Sequence, residues 1–233
     1  MKIIYEDNHI IAVLKPAGVL SQGDMTGRKS IFDQTKDYLK EKYKKPGNVF
    51  LGLVHRLDRP VSGIMLFAKT SKGASRLSEE FRNHTIQKTY SAIVLGKLKE
   101  KEGDLKEQVK KIAFFAEGFG NKTDEELLAE IKKATKTRTA ELHYKVIKSN
   151  QKYSLLEVTP RTGRFHQIRI QMSELGHPIL GDGKHGKSEA IKEWHSKDSI
   201  ALCATGLTFK TATGDKEINL KINLPEEWKA YIK

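Results

Sequence analysis

Short apolar runs separated by turn residues recur along most of the chain, the pattern of strands that follow one another with few helices between them. Residues 3–5 and 10–14 read as strands around Glu6, Asp7 and Asn8, and Pro16-Ala17-Gly18 ends the second. Ser30 with Asp33 three positions on forms a capping-box signature. It opens a helix with Phe32, Leu39 and Tyr43 at apolar positions, which stops by Pro46-Gly47. Residues 50–55 and 63–69 read as strands flanking the tight connection RLDRPVS. Ser71 caps a second helix, with Ala74, Leu77 and Phe81 on one face and Arg76 and Arg82 turned elsewhere.

The strand at 89–95 ends at Gly96, and the composition then changes. Residues 97–111 hold six Lys and four acids with few apolar positions, which predicts a solvated excursion at the surface. A short amphipathic helix follows at 124–134, through Leu127, Leu128 and Ile131. Strands resume at 139–148, with Ala140, Leu142, Tyr144 and Val146 on one face, and at 153–159. Gly163 to Gly176 reads as a helix with Phe165, Ile168, Met172 and Leu175 on its period. Glycine-rich turns at 181–186 lead to strands at 200–209 and 216–222, and a short helix follows Pro225. Strands outnumber helices and often succeed each other directly. That favours an α+β class with a mostly antiparallel mixed sheet and flanking helices over a doubly wound parallel one. No repeat or low-complexity linker divides residues 1–233, so one catalytic unit is expected, with 97–138 a charged excursion within it.

Composition narrows the class. The 233 residues carry a single cysteine, Cys203, which excludes an internal disulfide framework and a cysteine-built zinc site. No apolar run approaches the roughly 18 residues of a membrane span, and Glu6 and Asp7 fall where a signal peptide would be apolar. A cytoplasmic protein is expected. The formal charge of +13 fits a polyanion partner, nucleic acid before an anionic membrane surface, or else a merely lysine-rich solvated surface. Arginine usage adds a location. Only nine of the 42 basic residues are Arg, and seven of them fall within 56–82 and 161–169. A guanidinium fork suits phosphate and carboxylate better than the point charge of lysine.

The densest candidate for chemistry is HRLDRPVSG, residues 55–63, where Asp58 lies between Arg56 and Arg59 in a turn bounded by Pro and Gly. An ionised carboxylate there is available as a nucleophile or an electrostatic partner. Taken alone, the nine residues are read more simply as a turn closed by Asp58 with two solvated arginines. His177, Asp182 and His185 lie among glycines without the spacing of a metal site. His55 and His166 suit structural hydrogen bonds as well as proton transfer.

HRLDRPVSG, with the apolar strand and AKT behind it, resembles the motif around the catalytic aspartate of the RluA-type RNA pseudouridine synthases. The resemblance continues in order. IIYEDNHIIAVLKPAGV is similar to that family's opening strands, and QKTYSAIVLGKL to its second motif. RTGRFHQIRIQMSELGHPILGDG resembles its third motif, and ALCATGLTF its late strand. These segments, in order over about 200 residues, leave little room for chance.

The resemblance implies the pseudouridine synthase fold, with a central RNA-binding cleft, and an isomerisation of specific uridines in ribosomal or transfer RNA. Uracil is detached from ribose, rotated and rejoined through carbon 5, with no net change of atoms. Such a reaction needs no cofactor, metal or activated donor, in keeping with a sequence that lacks a P-loop and a dinucleotide fingerprint. By the resemblance, Asp58 is the nucleophile and Arg164 the arginine that pairs with it. Tyr90 stacks on the target base; a side chain with an ordinary pKa of about 10 suits stacking better than proton transfer. Leu202 and Ile168 are candidates for the opposite wall. Arg56 enters the helix stack vacated by the flipped nucleotide, and Arg161 and Arg169 follow the RNA backbone. Two positions depart from the family's usual pattern: Val61 replaces Thr, and Cys203 replaces His, the cysteine read as a small buried apolar group.

With strands opening at residue 3, the separate small N-terminal S4-like RNA-binding domain of many members is not expected. Recognition is then expected from the cleft of a monomer acting on a stem-loop, without membrane or metal. A catalytically silent RNA-binding protein is the competing class. The joint presence of Asp58, Tyr90 and Arg164 favours the enzyme.

Overall fold

Strands β2 (Ile10–Lys15) and β4 (Ser62–Ala68) are apolar almost throughout because both faces of this part of the sheet are covered. Ile10, Ala12, Ile64, Leu66 and Ala68 face helix α2 (Ser71–Arg82), which adds Leu77. The alternating set Ile11, Val13, Met65 and Phe67 packs with Ile31 and Leu39 of α1 (Ile31–Lys42). In a computed structural model these elements belong to one ten-stranded sheet; the structure describes residues 1–25, 27–109, 138–186 and 188–232. The expected helix at 124–134 lies outside the described residues.

Along the sheet the order is β1-β2-β4-β9-β5-β8-β7-β6, where β1 is Lys2–Glu6, β5 Gln87–Leu95, β6 Glu102–Val109, β7 Arg138–Ser149, β8 Tyr153–Pro160 and β9 Leu202–Lys210. Short β3 (Gly52–Leu53) pairs with β4, and β10 (Glu217–Lys221) pairs with β9. All pairs are antiparallel except β4 with β9, as the α+β reading expected. Those two strands share only Ser62↔Cys203 and Gly63↔Ala204. Beyond that short contact, β3 takes the same edge of β4 and β10 the same edge of β9. The sheet is therefore joined across a narrow parallel seam.

Gly63 makes the seam possible. Its φ is +132°, and a Cβ there would lie 2.4 Å from the backbone N of Ala204 and 2.5 Å from its O. The obstacle is main chain, so no side-chain rotation relieves it.

Helix starts and stops depart from the sequence reading where local hydrogen bonds compete. Ser30 and Asp33 form the expected capping box of α1. Thr70, rather than Ser71, caps α2: its backbone is extended and its side chain accepts from the Gly73 N–H. The apolar run at 50–55 yields only the two paired residues of β3. The charged segment 97–111 is not wholly an excursion, since β6 forms within it and pairs along β7 through eight residues. Its alternation of Leu105 with charged neighbours suits a strand that presses one side on the core. The remaining elements are α3 (Gln167–Glu174), α4 (Ser188–Lys192) and a 3-10 turn at Glu226–Ala230. Helix α3 begins four residues later than the apolar period suggested, and its absent first turn is part of the site below.

At the outer edge of β1, Glu6 ties three elements together. It pairs with Lys69 at 2.6 Å and Lys42 at 2.7 Å, and it accepts from the Tyr43 hydroxyl at 2.7 Å. Burial alone would raise the Glu6 pKa, but the hydrogen bonds from Lys42, Lys69 and Tyr43 outweigh it and bring it down to about 2.

Gly63→Ala is expected to lower unfolding stability by about 2–5 kcal/mol, combining backbone strain with overpacking. Gly47→Ala, where nothing lies within 4 Å of the added carbon, should unfold like the wild type in the same urea titration. Glu6 has a depressed folded-state pKa, so its stabilisation is complete above its unfolded value and is lost as pH falls from about 4.5 to about 2. The stability gap between wild type and Glu6→Gln, followed by denaturant melts across that range, should therefore close as pH falls.

Candidate active site

The loop 55–61 that enters β4 is held on three sides. Within it, Leu57 and Val61 are buried in the main core cluster, which leaves Arg56 and Asp58 to face outward. The Val61 N–H donates to Asp58 O at 3.0 Å and closes the turn, a backbone bond that needs no hydroxyl at position 61. Ser21 is buried beside the loop; its hydroxyl donates to Leu57 O at 2.5 Å and accepts from Leu57 N–H at 3.1 Å. Gly18 N–H donates to Arg59 O at 2.8 Å. Fully buried Lys15 spends its three donors on the carbonyls of Pro16, Val19 and Arg59, at 3.0, 2.7 and 3.1 Å. Burial is the main force on this ammonium, bringing its pKa down to about 7, while the nearby Asp58 charge opposes the shift. On the other flank, His55 Nε2 accepts from Leu66 N–H and its ring stacks on Phe81. Burial pushes that imidazole down to about 3, so His55 is a neutral structural acceptor.

The arginine that meets Asp58 is Arg169, not Arg164. Its Nη1 donates to Asp58 Oδ2 at 3.0 Å, while Nε and Nη2 donate to the two oxygens of Asp182 at 2.7 and 2.8 Å. Arg169 is 5% exposed and Asp182 1% exposed. Asp182 also accepts from the Lys184 and His185 N–H groups, and these bonds with Arg169 hold its pKa below the usual carboxylate value despite burial. Arg169 is thus a buried bridge between two carboxylates rather than a cation that follows an RNA backbone.

Local hydrogen bonding explains why Arg164 is elsewhere. Gln167 Oε1 accepts from Thr162 Oγ1 at 2.7 Å and from Arg164 N–H at 2.9 Å, and its Nε2 donates to Glu141 O at 2.9 Å. This staple holds 162–166 as a turn, with His166 at φ +51°, and delays α3 to Gln167. Arg164 Nε then donates to Thr139 O at 3.0 Å. The apolar period fails at its ends for the same reason: Ile168 and Met172 are buried, but Phe165 and Leu175 are exposed.

A cleft of about 1110 Å³ opens over Asp58. Tyr90, Leu202, Ile168, Arg56 and Arg164 all line it, as do His55 and His166. Arg161 is not among the lining residues; it is exposed and pairs with Asp104 at 3.1 Å. Six cationic side chains line the cleft against two carboxylates, Asp24 and Asp58. Such an excess of positive charge favours an anionic partner. Lys88, two residues before Tyr90 on β5, is one of those cations, and burial lowers its pKa.

Two neighbours of Asp58 are poor proton carriers near neutral pH. Burial, reinforced by the Asp58 charge, raises the Tyr90 hydroxyl above its ordinary value, so the phenol stays protonated and offers a ring face. His166 Nε2 lies 3.4 Å from Asp58 Oδ2, and its Nδ1 is 2.7 Å from His185 Nε2. Burial brings His166 down to about 4, with Arg169, His185 and Lys184 adding to the effect and Asp58 opposing it. Cys203 is buried on β9 and burial raises its thiol to about 11, a packing group rather than a reactive one. The sequence reading missed the Arg169–Asp182 pair. Its signal was present in an Arg and an Asp on either side of the 176–181 turn, but nothing in one sequence says that they meet.

An accessible carboxylate held by a buried arginine, in a basic cleft that an aromatic ring also lines, is an arrangement able to act on a nucleic-acid base. Residues 9–174 match the family model described as RNA pseudouridylate synthase. The chain is 32% identical to "tRNA pseudouridine synthase C" of Vibrio cholerae, over 100% of this chain and 94% of that protein. It is 35% identical to "Ribosomal large subunit pseudouridine synthase C" of Rickettsia felis, over 96% and 67%. The fold is shared with human RNA pseudouridylate synthase domain containing 4, at a TM-score of 0.74 and 22% identity over 98% of this chain and 90% of that one. The chain belongs to the RNA pseudouridylate synthase family, enzymes that isomerise uridine to pseudouridine.

Removing one partner of the buried bridge strands the other charge. Asp182→Ala is expected to cost about 3–5 kcal/mol of unfolding stability. Asp58→Ala should cost much less in the same melts, because its carboxylate is 26% exposed and Arg169 keeps both bonds to Asp182.

Proposed function

We propose that Asp58 is the nucleophile with which this chain converts specific uridines in ribosomal or transfer RNA to pseudouridine. The observation that carries the reading is the Asp58 carboxylate, held by Arg169 and left accessible in a cleft lined by Tyr90, Leu202 and Arg56. A stacked or paired uridine must leave the helix to reach it, at a cost of a few kcal/mol. Tyr90 supplies an aromatic face for the flipped base and Leu202, 3% exposed, an apolar one. Arg56, exposed at the cleft, takes the vacated place in the stack, where a planar cation combines stacking with phosphate contact. Asp58 bonds to the nucleoside, the glycosidic C1′–N1 bond breaks, and the rotated uracil rejoins C1′ through carbon 5. The carbon 5 proton leaves, N1 gains one, and the Asp58 carboxylate is released.

In this reading the chain acts as a monomer in the cytoplasm. The concave basic cleft suits a stem-loop, whose unstacked loop bases can be splayed into it. The deciding experiment compares pseudouridine maps at base resolution in ribosomal and transfer RNA from cells that lack the protein, then restored with wild type or Asp58→Asn. Wild type should restore specific sites and Asp58→Asn none, while the purified variant still binds the same RNA. Identical maps from both proteins would sink the nucleophile assignment.

A further inference from the structure

Phe165 is an aromatic ring that the fold turns out of the core. The apolar period of the sequence pointed it inward, but the Gln167 staple and the left-handed His166 leave it before α3, with 56% of its surface exposed. Several other large apolar side chains are exposed, from Met25 to Ile191. Among the described residues, Phe165 alone of these lines the cleft.

Its surroundings are those of a base platform. The ring stacks on His166 with centroids 3.7 Å apart and planes 19° apart, and His166 is itself 3.4 Å from the Asp58 carboxylate. Phe165 is thus one side chain removed from the reacting carboxylate, and the left-handed turn beneath it fixes where the ring sits. The ammonium of Lys184 lies 5.6 Å from its centroid and also lines the cleft. A rigid exposed ring beside a cation, in a groove of positive charge, is how proteins hold single-stranded bases without reading their edges.

We propose that Phe165 is a nucleobase-stacking residue, taking the face of a base next to the flipped uridine in the RNA strand. The proposal rests on the reading that this cleft modifies uridine in RNA. Stacking here anchors the strand on the side of the cleft formed by the 162–166 turn, so it contributes to binding and to the choice of target rather than to the chemical step. The ring forms no bond to the reacting atoms.

The test starts from the uridine that wild type converts in RNA from cells lacking the protein, placed in a short synthetic stem-loop. No conversion by wild type at any uridine would overturn the functional reading and this proposal with it. Given conversion, Phe165→Leu should weaken stem-loop binding about 5- to 100-fold, and Phe165→Tyr should bind nearly as wild type. Turnover at saturating stem-loop should stay close to wild type in both. Replacing the neighbours of the target one at a time with abasic nucleotides should expose a single position. Losing that base weakens wild type as much as Phe165→Leu does, and has no further effect on Phe165→Leu. Stacking is uncharged, so the slope of affinity against salt should not change. Three results would each overturn the proposal: wild-type affinity in Phe165→Leu, lost turnover at saturation with affinity intact, or an undiminished abasic effect in that variant.

Discussion

The site depends on one guanidinium placed between two carboxylates. Arg169 reaches from α3 to Asp182 with two bonds and to Asp58 with one, so a helix, a glycine turn and the loop that carries Asp58 are fixed to a common point. The division of labour follows from burial. Asp182 has almost no contact with solvent, and its charge is compensated by Arg169 and two backbone N–H groups. Asp58 shares the same cation but keeps a quarter of its side chain accessible. Arg169 can thus orient Asp58 without enclosing it, because its own position is secured by a second carboxylate that is sealed from solvent.

Around that point, the fold supplies a loop with little freedom to move. Its carbonyls meet the Lys15 ammonium, Ser21 and the Gly18 N–H. Its own apolar residues Leu57 and Val61 anchor it from below. The seam between β4 and β9 lies directly after it, held close by a glycine whose missing side chain would strike backbone. Asp58 is therefore carried by a loop but positioned as though on a strand. The cleft above combines cationic side chains with Tyr90 and Leu202 in its lining, and its imidazoles at His55 and His166 stay neutral near pH 7.

Much of this was legible in the residues. The apolar runs at 10–14 and 63–69 were legible as strands, and the antiparallel α+β class followed from strands in succession. HRLDRPVSG located the carboxylate, and the two arginine-rich windows located the cleft in part: Arg56, Arg59, Arg164 and Arg169 line it, whereas Arg76, Arg82 and Arg161 do not. What was missed has a common cause. The helix at 163–176 was read from spacing alone, but a glutamine side chain offered Thr162 and Arg164 better bonds than a first helical turn could, and the turn won. Strand β6 was hidden in a charged segment because its stability comes from pairing with β7, a partner distant in sequence.

By itself, the sequence determined the class of protein, the position of Asp58 and the basic character of its surroundings, since these follow from local residue types and their order. Only the tertiary structure decided which arginine serves Asp58. Arg164 and Arg169 lie five residues apart with the same chemistry, and nothing local ranks them. The choice falls to a buried carboxylate thirteen residues beyond Arg169 and to a turn that points Arg164 at Thr139. It also decided that Phe165 faces the cleft. Periodicity describes a helix once it exists, whereas the residue where that helix begins is set by hydrogen bonds to strands elsewhere in the chain.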